Sequence, residues 1–203
     1  MDGMGVINGL YNAVQAPLFF GFLSVFLATY FILAGGSYAY LYFLKGHPLS
    51  QKKIQIANPS SKEVVHELLW SVLALAVWSV MAVVLVFLVK HGFTFLYFDI
   101  NQYGLAYFLF SIFVLLITHD AYFYWTHRLL HSRSTFFYNM HRVHHASQNP
   151  TPLAIYAFGP LEAVVLGLYV YIAVFLMPVH IYALLTLFIF DTIIKSVQGG
   201  VLP

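Results

Sequence analysis

The chain is dominated by long runs with no charged residue. None occurs between Gly3 and Leu44, between Leu68 and Val89, or between Ile100 and Thr118. A helix needs about 20 predominantly apolar residues to cross the hydrocarbon core of a bilayer. Helices are also one of the two structures that satisfy every backbone polar group inside lipid. Spans are therefore predicted over about 17–44, 68–89 and 100–118. Only 8% of the 203 residues are charged, against about 25% in a soluble domain. That is too few to cover a water-soluble globule, so the apolar runs face lipid. Towards the C-terminal side, Thr151–Met177 is long enough to span but carries Glu162, and His180–Ile194 is short and carries Asp191. With Pro178 between them, the pair predicts a helical hairpin over about 151–194, either crossing or re-entrant. The expected fold is an all-α integral membrane bundle of about three to five transmembrane or re-entrant helices, one domain over 1–203. Met1-Asp2-Gly3 lacks the basic region of a signal peptide, so the first helix is expected to be retained.

The basic residues alternate between loops. The first 44 residues hold no Lys or Arg, the next loop holds Lys45, Lys52, Lys53 and Lys62, and Lys90 alone follows the second span. Arg128, Arg133 and Arg142 follow the third. The positive-inside rule puts the 45–63 loop and the 119–150 segment in the cytoplasm, of a bacterial inner membrane or the endoplasmic reticulum. Ser50–Ser61, with its polar residues and Pro59, reads as an exposed connector. A net charge of +2 does not suggest nucleic acid as a partner. The absence of cysteine excludes disulfides, thiolate nucleophiles and sulfur-ligated metal. No internal repeat or low-complexity segment is present.

Six of the ten histidines fall between His119 and His145. His127 and His131 are four apart and so share a helix face; His141 and His145 repeat that spacing, and His144 is three from His141. His119, eight before His127, lies about two turns up and roughly on the same side. Imidazoles on adjacent turns can close on one ion without bending the helix, and neutral imidazole suits Fe, Zn and Cu. The segment 119–150 is thus a candidate metal-binding helical cap on the cytoplasmic side, with His119, His127, His131, His141, His144 and His145 as candidate ligands. A pH-sensitive or merely interfacial cluster is the competing reading. His47, His66, His91 and His180 stand alone and read as interfacial residues. Asp120 either orients a ligand imidazole or caps the helix boundary. Glu162, a carboxylate in an apolar stretch, is a functional candidate because its burial is costly. It either pairs with Arg128 or Arg142 or accepts from a ligand histidine. Tyr122, Phe123, Tyr124 and Trp125 read as an interfacial belt rather than a substrate lining.

The stretch from His119 to Glu162 resembles the fatty acid hydroxylase / sterol desaturase superfamily. The resemblance rests on the HD-aromatic-YW-x-HR-x-x-H run, the HRVHH run and Ser147-Gln-Asn-Pro-Thr-Pro after it. Tyr124, Trp125, His127, Arg128, His131, His141, His144 and His145 stand at motif positions. It implies an integral membrane oxygenase with two non-haem irons held by clustered histidines on a cytosolic cap. Such an enzyme activates dioxygen, takes electrons from a carrier such as cytochrome b5 or ferredoxin, and hydroxylates or desaturates a lipid within the membrane.

The chain departs from the pattern in two places. Gly159 stands where an FxPxE-like segment usually carries a histidine, and Lys195 stands about where a later histidine falls; no closing HxxHH follows. Two metals with about four nitrogen ligands each need roughly eight histidines, and the recognised segment supplies six. The chain is accordingly expected either to be incomplete as written or to hold one metal well and the second poorly. Two readings from other classes compete with the enzyme. One is a non-enzymatic membrane metal-binding or transport protein, and a transporter would place its ligands at mid-membrane within discontinuous helices. A haem protein would place two histidines on facing helices.

Overall fold

The computed structural model describes residues 16–43, 59–132, 135–147 and 149–201. Lys45, Lys52, Lys53, His47, Arg133 and most of the 50–61 connector lie outside the described residues.

Helix α1 runs over Ala16–Phe43, α-helical in Ala16–Tyr30 and Gly36–Phe43 with a single π turn at Phe31–Gly35 between them. Helix α2, Ser61–Lys90, opens on a capping box: Ser60 Oγ accepts from the Glu63 amide while the Glu63 carboxylate accepts from the Ser60 amide at 2.7 Å. It stops at His91-Gly92, where Gly92 adopts φ +72° and turns the chain out of the helix. Helix α3 covers Gly104–Leu130, helix α4 Thr135–His141, helix α5 Pro160–Leu176 and helix α6 Ile181–Val201. Two two-residue strands, β1 (Leu96–Tyr97) and β2 (Val179–His180), pair in parallel and tie the α2–α3 connection to the α5–α6 turn.

Among the described residues, four helices are long and apolar enough to cross a membrane: Ala16–Phe43, Ser61–Lys90, Gly104–Leu130 and Ile181–Gln198; Pro160–Leu176 is a shorter apolar helix. Large apolar side chains point away from the bundle all along them, among them Ile32, Leu69, Phe113 and Leu176. Such a surface is stable against lipid and not against water. The protein is an all-α integral membrane bundle.

Two differences from the sequence reading position the site. At 27 residues, α3 does not stop at Thr118. It measures about 40 Å against a hydrocarbon core of about 30 Å, so its last turns carry His127 beyond the apolar stretch. Thr151–Met177 is not one helix either. Pro152 opens a short 3₁₀ turn over Pro152–Tyr156, and α5 begins only at Pro160, whose ring suits the first helical position. The whole of 151–159 is buried. Non-helical backbone at this depth is tolerated when protein covers it. Here Tyr30 and Ser71 hydroxyls both donate to the Leu153 carbonyl, at 2.7 and 2.9 Å. A core of Tyr30, Ala74, Leu75, Tyr156 and Phe158 packs around that segment, and a second of Leu115, Tyr169, Val174 and Val179 sits towards the β1–β2 end.

Candidate metal centre

Five of the six candidate histidines converge. The end of α3 supplies His127, and His131 follows at its C-cap; α4 ends on His141, and the 3₁₀ turn His144–Ala146 folds His144 and His145 back over them. His131 Nε2 lies 2.9 Å from His127 Nε2 and 3.2 Å from His145 Nε2. Ligand atoms of His127, His131 and His141 lie within 4.8 Å of one another. Nitrogens bound at 2.0–2.1 Å around one ion are separated by about 3.0 Å in an octahedron and about 3.4 Å in a tetrahedron. The His127–His131 and His131–His145 separations match that spacing, and His141 lies within 4.8 Å of His127 and His131. His144 lies with its ring centroid 5.1 Å from that of His141 and 6.1 Å from that of His127.

His141 is the best defined of them. It is 2% exposed, and its Nδ1–H donates to Glu162 Oε1 at 2.6 Å. The second ring nitrogen, Nε2, is buried with no hydrogen-bond partner. A buried polar atom without a partner costs about 1–3 kcal/mol, and the surroundings of this one are other imidazoles. Carboxylate–histidine pairing of this kind fixes the tautomer and aims the free nitrogen at a metal. His144 Nδ1 is a second buried nitrogen without a partner. Burial, then the neighbouring His141, His145 and His127 and the charge of Lys195, push the His144 imidazole down to about 3. Burial, His141 and His131 lower that of His145. Both rings are held neutral, the form that binds metal. Donor chemistry, spacing and orphaned nitrogens all fit a transition-metal ion. Leu130, His131, Tyr138, His141 and His145 line a cleft over the cluster, which gives access from outside.

The sixth candidate does not join. His119 is eight residues before His127, which on a helix is about 12 Å along the axis and about 80° around it. Its Nδ1 instead faces Asp191 Oδ1 at 3.9 Å, and its ring packs edge-on against Tyr169. Asp120 does not orient an imidazole: it is exposed and, among the described residues, neither hydrogen-bonds to nor ion-pairs with a histidine. Glu162 accepts from His141 rather than pairing with Arg128 or Arg142. Tyr124 and Trp125 are exposed, and the Arg128 guanidinium lies 5.4 Å over the Trp125 ring. Of the isolated histidines, His91 bonds to the Phe87 carbonyl and His180 is buried at the β1–β2 end, away from the cluster.

Two pairings were not legible in the sequence. Glu67 is fully buried and accepts from Ser147 and Thr151, directly behind the His144–His145 turn. Lys195 ion-pairs with Asp191 at 2.9 Å and lies 4.5 Å over the Phe123 ring. Asp191 and His119 line an apolar cavity of about 350 Å³ formed largely by residues of α1, α2, α5 and α6.

Residues 112–198 match the fatty acid hydroxylase family. The chain is 33% identical over 162 residues to human lathosterol oxidase, covering 79% of this chain and 52% of that protein. It is 29% identical over 188 residues to the Delta(7)-sterol 5(6)-desaturase erg31 of Schizosaccharomyces pombe, covering 91% of this chain and 61% of that one. Lathosterol oxidase of Mus musculus is 33% identical over 153 residues, 74% of this chain and 48% of the relative. The chain thus spans about half the length of the curated relatives it matches. No solved structure matches. The segment that carries the histidine cluster belongs to the fatty acid hydroxylase / sterol desaturase superfamily.

Proposed function

We propose that the protein is a membrane oxidoreductase that uses iron and dioxygen to hydroxylate or desaturate a lipid, with a sterol as the favoured substrate class. The observation that carries the reading is the His141 imidazole. Glu162 holds it so that a partnerless buried nitrogen faces His127 and His131. His127, His131, His141, His144 and His145 would hold the metal. The relatives' names support the sterol, and the apolar cavity supports an occupant that enters from the bilayer.

Iron bound there would supply dioxygen activation and hydrogen abstraction from an unactivated carbon. The protein's own part is positional. Glu162 fixes the His141 tautomer, the buried turn at His144 keeps imidazoles neutral, and the apolar walls orient a lipid and exclude water. Two irons are the expected complement, and the five converging histidines are a set for one of them with a start on the second. An electron carrier such as cytochrome b5 or ferredoxin completes the balance, since reduction of dioxygen needs two electrons beyond those of the lipid. The histidine end is assigned to the cytoplasm. Lys62, Arg128 and Arg142 lie at that end of the bundle and Lys90 at the other, which supports the orientation. The gathering of ligands at one end of the helices does not favour transport.

The test is a comparison of sterols and fatty acyl lipids in cells expressing the protein or its His144→Ala variant, with metal content measured on both purified proteins. A new oxidised lipid made by the wild type alone supports the reading. Wild-type protein free of transition metal would refute it.

A further inference from the structure

We infer that Glu67 is a positioning residue for the metal centre: its buried carboxylate sets where His144 and His145 stand. The inference rests on the metal-centre reading above. Glu67 is 0% exposed in the second turn of α2, facing the bundle interior. A carboxylate so placed is costly in an apolar helix and is retained for a use. Among the described residues, its three hydrogen bonds come from one short stretch of chain. Ser147 Oγ donates to Oε1 at 2.8 Å, the Thr151 amide to Oε1 at 3.3 Å and Thr151 Oγ1 to Oε2 at 2.6 Å. Ser147 is three residues beyond His144 and two beyond His145, so the clamp closes on the exit of the histidine turn.

The clamp extends along the same helix. Ser71, one turn after Glu67, bonds to the Leu153 carbonyl, and Tyr30 of α1 bonds to the same oxygen. Thr151 also accepts from the Leu153 amide, capping the 3₁₀ turn. That turn leads to Phe158, whose ring packs on His144 at 5.5 Å between centroids. His144 is therefore held from two directions, through Ser147 along the chain and through Phe158 across it. Both routes begin at the Glu67 face of α2. The 3₁₀ turn His144–Ala146 has no side-chain hydrogen bond at its N-cap.

Outer partners of metal ligands typically contribute 10–100-fold in metal affinity. Glu67 acts one bond further out, so Glu67→Leu is expected to lower the Co²⁺ affinity of the full chain in detergent by about tenfold. Its Co²⁺ absorption bands should shift as His144 or His145 loses its place. Glu67→Gln keeps an oxygen for Ser147 and the Thr151 amide, and should restore affinity to within about threefold of wild type. Thr151→Val leaves α2 untouched, removes the shortest bond, and should move affinity and spectrum in the same direction. If Glu67→Leu does not fold, Thr151→Val carries the test. Co²⁺ affinity and spectrum unchanged in every folded variant of Glu67→Leu and Thr151→Val overturn the inference. Wild-type protein that binds no Co²⁺ overturns the metal-centre reading itself, which is a different result.

Discussion

Replacing Glu162 tests how the site is built. Its carboxylate is the one acceptor for His141 Nδ1–H, at 2.6 Å, and the two side chains are 1% and 3% exposed. In Glu162→Ala water does not readily replace that acceptor, and a buried donor without a partner costs about 1–3 kcal/mol. The imidazole regains a partner by rotating or by moving its proton to Nε2, and either change removes the nitrogen that faces His127 and His131. The expected loss of metal affinity is about 10–100-fold, which is about 1.4–2.8 kcal/mol. Glu162→Gln keeps a neutral acceptor but loses the charge-assisted part of the bond, roughly half its strength, so the loss there should be under about tenfold. The assay is a competition titration of purified protein with Zn²⁺ or Co²⁺ against a chelator of known affinity, with circular dichroism to confirm that the helices persist. Wild-type affinity in a folded Glu162→Ala protein would refute the tautomer argument, because His141 Nε2 would then reach the metal without a carboxylate behind it.

Other outcomes follow from the same geometry. His119→Ala should keep metal affinity within about threefold, whereas His127→Ala or His144→Ala should lower it at least about tenfold; metal retention through dialysis distinguishes them. Gly159→Ala puts a methyl 3.1 Å from the Met140 carbonyl, next to His141. Since that neighbour is backbone, the α4 end must shift, and metal affinity should fall several-fold without loss of the helical signal. Chelating the metal should lower the apparent melting temperature. Ligand at 100 times its dissociation constant stabilises by about 2.7 kcal/mol, which is about 5–10 °C for a chain of this size. Acidification should destabilise the metal-free protein. His144 is lowered to about 3 in the folded state, so the unfolded chain binds its proton first. That contribution is intact above about pH 6.5 and is lost as the pH falls from there towards 3. Denaturant midpoints independent of pH between 7 and 5 would contradict the burial of His144.

The membrane helices were legible because lipid permits so few solutions: a charge-free run of sufficient length has to be a helix, and α1, α2 and α3 are helices. The histidine cluster was legible where one local period fixed it. His127 and His131, one turn apart, must share a face whatever packs on them. The same reasoning failed for His119, since eight residues bring a side chain back only to within about 80° while carrying it about 12 Å away. The two carboxylates show where sequence reasoning stops. Glu162 lies inside an apolar run, so the cost of its burial marked it, and the structure pairs it with His141. Glu67 carries the same cost but stands at the edge of its run, where it reads as a boundary residue. Its partners Ser147 and Thr151 are 80 and 84 residues away, and no local period connects them. What made Glu67 invisible is also what gives it consequence. Local spacing can put His144 and His145 on one turn, but only a contact between distant segments can hold that turn against the end of α3.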